Sequence, residues 1–337
     1  VGDLMQHKAQ LEAARTSQGT HDYSLCFSLV KEQISRADIA IGNLEVTLGG
    51  KPYTGYPAFS APDEFLYAIR DAGFDILLTA NNHCLDRGKK GLERTILMLD
   101  SLHIPYTGTY RNKEERSQRY PLLIDKNGFR IALLNYTYDT NGVKPTSPNI
   151  VNYIDKKIIQ QDIDTARTWQ PDAIIACMHW GNEYQSLPSR EQRQLVDWLL
   201  KQGVTHIVGS HPHVIQPMEL RTDTLTGMQH AVVYSLGNFI SNMSKVNTDG
   251  GLIFTLELEK DTVISSTPSV HISHCGYNLV WTARPTLTKE KNYVLYPTDS
   301  TSVSKLPEVA RNHLNIFTKN SRKLLQQHNV GIKENKK

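Results

Sequence analysis

The segment His206-Ile207-Val208-Gly209-Ser210-His211-Pro212-His213 decides how this chain is read. An apolar run short enough for a buried strand ends in a glycine turn that carries two imidazoles. The same arrangement recurs along the chain. Ile174-Ile175-Ala176 leads to His179-Trp180-Gly181, and Phe74-Asp75-Ile76-Leu77-Leu78-Thr79 leads to Asn81-Asn82-His83. Asp38-Ile39-Ala40-Ile41 leads to the turn Gly42-Asn43-Leu44-Glu45, Val232-Val233-Tyr234 leads to Gly237-Asn238-Phe239, and Asp3 follows Gly2. Helical periodicity fills the intervals at residues 23–36, 63–72, 88–102, 156–169 and 190–202. Alternating helices and strands predict an α/β fold with a largely parallel sheet. In such sheets ligands bind beyond the carboxyl ends of the strands. Asp3, Glu45, Asn82, His83, His179, His211 and His213 are therefore predicted to converge on one rim.

Each element alone is weak. A strand-end Asp commonly caps a helix, Gly-Asn-Leu-Glu is an ordinary turn, and His-x-His arises by chance; the conjunction carries the signal. Carboxylate, imidazole and amide oxygen together suit Mn, Fe or Zn better than Ca, which prefers all-oxygen cages. His206 lies on an apolar strand and reads as a core histidine. His21, His103, His230, His271 and His274 read as surface residues, as does His7 apart from its closeness to Asp3. Arg87 and Lys89 follow the Asn-His pair; solvated surface charge is the first reading and contact with an anionic substrate the second.

The remaining chain adds a hairpin about Lys126-Asn127-Gly128, a strand at 103–106, strands at 231–234, 252–258 and 269–273, and a terminal helix at 306–327. A division near residue 260 is expected, with the catalytic-type domain over 1–260. Residues 261–337 form a C-terminal extension of strands and a helix packed on the same domain. With 337 residues, 39% hydrophobic and 21% charged, the composition is that of a globular protein with a sizeable core. A net charge of +3, with no long basic run, argues against nucleic acid as a partner. The tail charges Lys333, Glu334, Lys336 and Lys337 read as a frayed terminus. The 4 cysteines, Cys26, Cys84, Cys177 and Cys275, form no CxxC pair and read as buried free thiols. No apolar run reaches membrane-spanning length. A Gly-Asp turn directly after Val1 calls for a preceding strand, so an upstream targeting or anchoring segment is expected, and with it an extracytoplasmic, membrane-anchored location.

Taken in order, Gly2-Asp3, Gly42-Asn43-Leu44-Glu45, Asn81-Asn82-His83, His179-Trp180-Gly181, Gly209-Ser210-His211-Pro212-His213 and Ser235-Leu236-Gly237-Asn238-Phe239 resemble the CapA family. This is the capsule-biosynthesis family associated with poly-γ-glutamate, within the calcineurin-like metallophosphoesterase superfamily. The resemblance runs over roughly residues 1–255. It implies a four-layer α/β/β/α sandwich with one or two divalent transition-metal ions at the strand ends. It implies Asp3, Glu45, Asn82, His179, His211 and His213 as ligands and His83 as a general acid, with Glu45 as ligand or base. Asn43, Trp180 and Asn238 are expected near the substrate. Two departures stand out: Met5 occupies the place of the superfamily's first His, and Asn43 and Glu45 occupy the turn that supplies its bridging Asp. His7 and Glu45 are the candidates to compensate. The expected activity is metal-dependent hydrolysis or transfer at a phosphoester or γ-glutamyl amide of an anionic polymer, beside membrane-bound synthesis machinery. The alternative is a non-catalytic accessory role in assembly, retention or export of that polymer.

Overall fold

A computed structural model describes residues 1–261 and 270–335. Five short parallel strands form a first sheet in the order Asn238–Ile240, Asp3–Leu4, Ile41–Leu44, Ile76–Leu78 and Tyr106–Thr107. A second sheet runs Met218–Thr222, Gln229–Val233, His206–Ser210, Ala173–His179, Phe129–Thr137 and Leu122–Lys126; its four inner strands are parallel and its two edge strands antiparallel.

Strand parity sets the layers, because successive side chains point to opposite faces. Ile41, Ile76 and Leu78 of the first sheet meet Leu133, Ile175, Cys177 and Val208 of the second in one apolar cluster. Their neighbours Leu4, Leu44 and Leu77 face outward onto Phe65, Ile69, Leu92 and Ile96 of the helices Asp63–Asp71 and Gly88–Ser101. On the other side Leu134, Ala176 and Ile207 face Ile159, Ile163, Val196 and Leu199 of the helices Lys156–Thr168 and Arg190–Lys201. The result is a four-layer α/β/β/α sandwich.

A third sheet pairs Gly250–Lys260 with Val270–Ala283, then Val294–Pro297, and Lys333–Glu334 adds to it in parallel. The long helix Glu308–His328 covers it through Leu314 and Phe317. Residue 260 thus lies at the end of one strand of this hairpin.

Several predicted elements are corrected. Of the helix expected over 23–36 only Lys31–Ser35 is helical. Tyr23, Cys26, Phe27 and Val30 are buried as an amphipathic pattern requires, but Leu295 N–H takes the Cys26 carbonyl (2.9 Å) and Asn292 takes that of Asp22 (2.7 Å). The strand expected over 38–41 sits later, at Ile41–Leu44, because pairing with Asp3–Leu4 draws Asn43 and Leu44 into the sheet, and pairing with Leu77 draws in Gly42. The strand expected over 103–106 is Tyr106–Thr107, since His103, at φ 54°, still belongs to the turn ending the preceding helix. Lys333 and Glu334 are a strand rather than a frayed end, and Arg322 clasps Glu334 (2.7 Å). Met218–Thr222 and Val294–Pro297 were not anticipated. Ser269, Lys336 and Lys337 lie outside the described residues. Cys26, Cys84 and Cys177 are buried free thiols, and Cys275 is half-buried. Among the described residues no helix is long and apolar enough to cross a membrane.

Candidate metal centre

The parity that builds the layers also aims the polar groups. Leu4 and Leu44 face the outer helices, so Asp3 and Asn43, the residues beside them, face the second sheet. Met178 faces outward, so His179 faces inward from the opposite side. Asp3 stands in register with Asn43 and with Asn238, and His179 with Ser210, so the carboxyl ends of both sheets meet at one rim. Gly2 permits this approach: a Cβ there would lie 1.9 Å from the Gly237 carbonyl oxygen. Beyond Ser210, His211 and His213 adopt φ of 101° and 59° on either side of Pro212. Non-glycine residues held there cost about 1–3 kcal/mol each, a cost concentrated at functional turns.

The groups interlock. Asn43 donates from Nδ2 to Asp3 Oδ1 (2.8 Å) and stands 3.2 Å from His179 Nδ1. His179 Nε2 is 2.7 Å from Asn82 Oδ1 and 3.7 Å from Glu45 Oε1. His213 Nδ1 stands 3.0 Å from Asn238 Oδ1 and 3.3 Å from Asp3 Oδ2. Its Nδ1 proton goes to the nearer Asn238 oxygen, which turns Nε2 toward Glu45 Oε1 at 3.9 Å. His211 stacks between Tyr138 (4.5 Å) and His179 (4.8 Å).

Asp3 and Glu45 are both 0% exposed, yet both Glu45 oxygens, Asp3 Oδ2 and His211 Nδ1 have no hydrogen-bond partner. Unpaired carboxylate in the interior costs several kcal/mol, and a bound cation removes that cost. Three overlapping sets, Asp3–Glu45–His213, Glu45–His179–His211 and Glu183–His211–His213, each hold their ligating atoms within 4.8 Å of one another. Ligand atoms about 2.1 Å from a tetrahedral Zn-like ion lie about 3.4 Å apart, so modest side-chain movements close each set. The mixed carboxylate and imidazole donors fit a transition metal.

Electrostatics agree with this assignment. Burial, joined by the Asp3 charge, raises Glu45 well above the carboxylate range. Burial opposes ionisation of Asp3, but the neighbouring His213, with His179 and the Asn43 amide, holds it well below that range. Burial pushes His211 down to about 3 and His179 well below its ordinary value, so both present neutral rings. Burial also opposes charge on His213, but Asp3 and Glu183 raise it.

The structure thus brings Asp3, Glu45, Asn82, His179, His211 and His213 together. His83 stands beside them: Asn141 accepts from Asn82 (3.1 Å), and its amide lies 3.4 Å from His83 Nδ1. Asp86, absent from the sequence reading, holds His83 Nδ1 at 2.8 Å and accepts from Phe59 N–H (2.8 Å). The His-x-x-Asp spacing at the start of a helical stretch was the signal for it. Glu183 was also missed, because no strand end or motif marks it. Three residues expected near the substrate have partners within the protein. Asn43 and Asn238 spend their amides positioning Asp3, His179 and His213, and Asn238 also bonds Thr248 O (2.8 Å). Trp180 is buried in the second sheet's core, its indole N–H on Tyr234 O (2.9 Å). Met5 is likewise a core residue. His7 does not compensate for it: it N-caps the helix Lys8–Ala14, meets Phe59 edge to face (5.2 Å) and receives Asn242 N–H (3.3 Å). His206 is a buried core residue that accepts from Ala231 N–H (3.2 Å), while His230 is half-buried against Thr205 O. Lys89 pairs with Glu93, and Arg87 packs beside Gly49 and Gly91.

Residues 1–243 match the family described as Bacterial capsule synthesis protein PGA_cap. The chain is 29% identical over 266 residues to the capsule biosynthesis protein CapA of Bacillus anthracis, covering 75% of this chain and 62% of that protein. It is 27% identical over 276 residues to the PGA biosynthesis protein CapA of Bacillus subtilis, covering 77% and 67% respectively. The chain therefore spans about two-thirds of the length of these relatives. Among solved structures, Haemophilus influenzae NAD nucleotidase (TM-score 0.48, 12% identity, 92% of this chain and 58% of that one) is similar. So is a putative 5'-nucleotidase from Staphylococcus aureus (TM-score 0.49, 14%, 94% and 57%). Both likenesses are weak. By the match over most of its length, the chain belongs to the bacterial capsule synthesis PGA_cap family, with the CapA proteins as its relatives.

Proposed function

We propose that this protein is a metal-dependent hydrolase or transferase of capsule biosynthesis, acting on a phosphoester or γ-glutamyl amide of an anionic envelope polymer. The observation that carries the reading is Glu45: a fully buried carboxylate with neither oxygen hydrogen-bonded, facing three histidines and Asp3. Asp3, Glu45, Asn82, His179, His211 and His213 would hold one or two ions. A bound divalent ion lowers the pKa of water and polarises the attacked centre. The chain's own residues do the rest. Asp86 keeps the His83 proton on Nδ1 and turns Nε2 away from itself, so that His83 in its protonated form can pass a proton to a leaving oxygen or nitrogen. Asn141 bonds Asn82 and packs beside His83, so the acid and the ligand share one neighbour. The relatives' names, capsule and PGA biosynthesis proteins, support an extracytoplasmic place beside membrane-bound polymer synthesis machinery.

Met5 in the core and Asn43 as a neutral amide favour a second reading, an accessory protein that keeps the scaffold without turnover. Purified protein loaded with Mn²⁺ and assayed on bis(p-nitrophenyl) phosphate and γ-glutamyl p-nitroanilide separates the two. Turnover abolished by EDTA and restored by Mn²⁺ supports the enzyme. Tight metal binding with no turnover of either probe supports the accessory role.

A further inference from the structure

We infer that Glu183 is a third carboxylate ligand and that, with His211 and His213, it forms an outer, exchangeable divalent-cation position at the mouth of the buried cluster. The inference rests on the metal-centre reading above and extends it to a residue outside the strand ends. Its ligating atom lies within 4.8 Å of those of both histidines, and it is the exposed member of a set whose other members are buried.

The loop that carries Glu183 is built to hold it there. Gly181 turns the chain at φ 87°, where a Cβ would meet Gln192 at 2.7 Å. Trp180 N–H bonds Ser210 O (3.1 Å) and Tyr184 N–H bonds Pro212 O (2.8 Å), so the residues flanking Glu183 are tied to the His-Pro-His turn itself. Buried Gln216 then secures the far side of the loop through Gln185 O (2.8 Å), and Gln192 secures Gln216 (2.9 Å). A solvated surface glutamate needs no such tethering. Among the described residues no Lys or Arg forms an ion pair with Glu183, so no cationic side chain neutralises it beside the cleft. That charge contributes to raising Glu45 and His213.

Charge and access fit the same conclusion. The buried set offers two negative charges, Asp3 and Glu45, against four positive charges if two divalent ions enter; Glu183 adds a third. Asp3, Glu45, His179, His211 and His213 are at most 3% exposed, so an ion arriving from solvent meets Glu183 first. His211 and His213 also belong to the inner sets, so the outer ion shares its imidazoles and is the weaker and faster to exchange. His211 Nδ1, buried and unpartnered, lies on a ring common to the outer and one inner position.

The test is isothermal titration with MnCl₂ together with metal analysis, on metal-free wild type, E183Q, E183D and E45Q, each checked by thermal melting without metal. Wild type is expected to show a tight and a weak class of site. E183Q should lose the weak class, or weaken it about tenfold or more, with the tight class and the metal-free melting temperature unchanged; E183D should retain both classes. E45Q should lose the tight class. A wild type with a single class, or an E183Q variant matching a two-class wild type ion for ion, overturns the outer position and leaves the metal-centre reading standing. A wild type that takes up no Mn²⁺ overturns both.

Discussion

Replacing Glu45 with Gln separates a ligand from a structural partner by the sign of its effect. Glu45 is fully buried, and neither of its oxygens is hydrogen-bonded. Without metal the carboxylate is therefore a liability: an unsatisfied buried polar group costs about 1–3 kcal/mol, more when charged. Gln has nearly the same shape and is neutral without taking up a proton, whereas burial forces Glu45 to bind one at neutral pH, so metal-free E45Q should be more stable than wild type by about 2 kcal/mol. For a chain longer than 250 residues that corresponds to a rise of about 2–4 °C in melting temperature. Metal reverses the ranking. An ion at a thousand times its dissociation constant stabilises by about 4 kcal/mol, and E45Q should forfeit most of that gain. Differential scanning calorimetry in EDTA and in excess MnCl₂ reads both effects. Equal destabilisation of E45Q in the two conditions would make Glu45 an ordinary structural residue. An unchanged metal-induced shift would remove it from the ligand set.

Asp86→Asn should leave metal content unchanged while lowering turnover of a phosphodiester probe about 10–100-fold, because His83 loses the charge that orients it; metal analysis beside steady-state kinetics checks this. Trp180→Phe should cost about 1–3 kcal/mol in urea unfolding, since the Tyr234 carbonyl loses its donor, without changing KM; a raised KM would return Trp180 to the substrate. His206 gives a pH prediction. Burial, with the charge of His230, lowers it from 6.5 to about 4. Its neutral form therefore stabilises the fold fully above pH 6.5, and that contribution is lost as pH falls toward 4, by about 3 kcal/mol. His206→Asn keeps an acceptor for Ala231 N–H and should flatten that loss; urea midpoints for both proteins between pH 7 and 4 measure it.

Much of the fold was legible because its signals are local. The apolar runs ending in polar turns, the helical periods of 63–72, 88–102, 156–169 and 190–202, and the Asn127-Gly128 hairpin each report backbone and side-chain preferences over a few residues. So does the set Asp3, Glu45, Asn82, His179, His211 and His213, because each member sits at or just past a strand end where chain direction alone puts it at the rim. What the sequence by itself determined was which groups arrive there.

Only the tertiary structure decided what each group does on arrival. Asn43, Asn238 and Trp180 lie in motifs as conspicuous as those of the histidines, but partners distant in sequence, Asp3, His213 and Tyr234, commit them to positioning and packing. The helix expected over 23–36 lost its first half to hydrogen bonds from Leu295 and Asn292, on a strand and loop far down the chain. Glu183 carries no local mark at all. Its place over the cleft depends on how Gly181 turns the loop and how Pro212 and Gln216 hold it. Such assignments depend on three-dimensional neighbours, because a polar side chain's role is set by whichever partner satisfies it in the folded state.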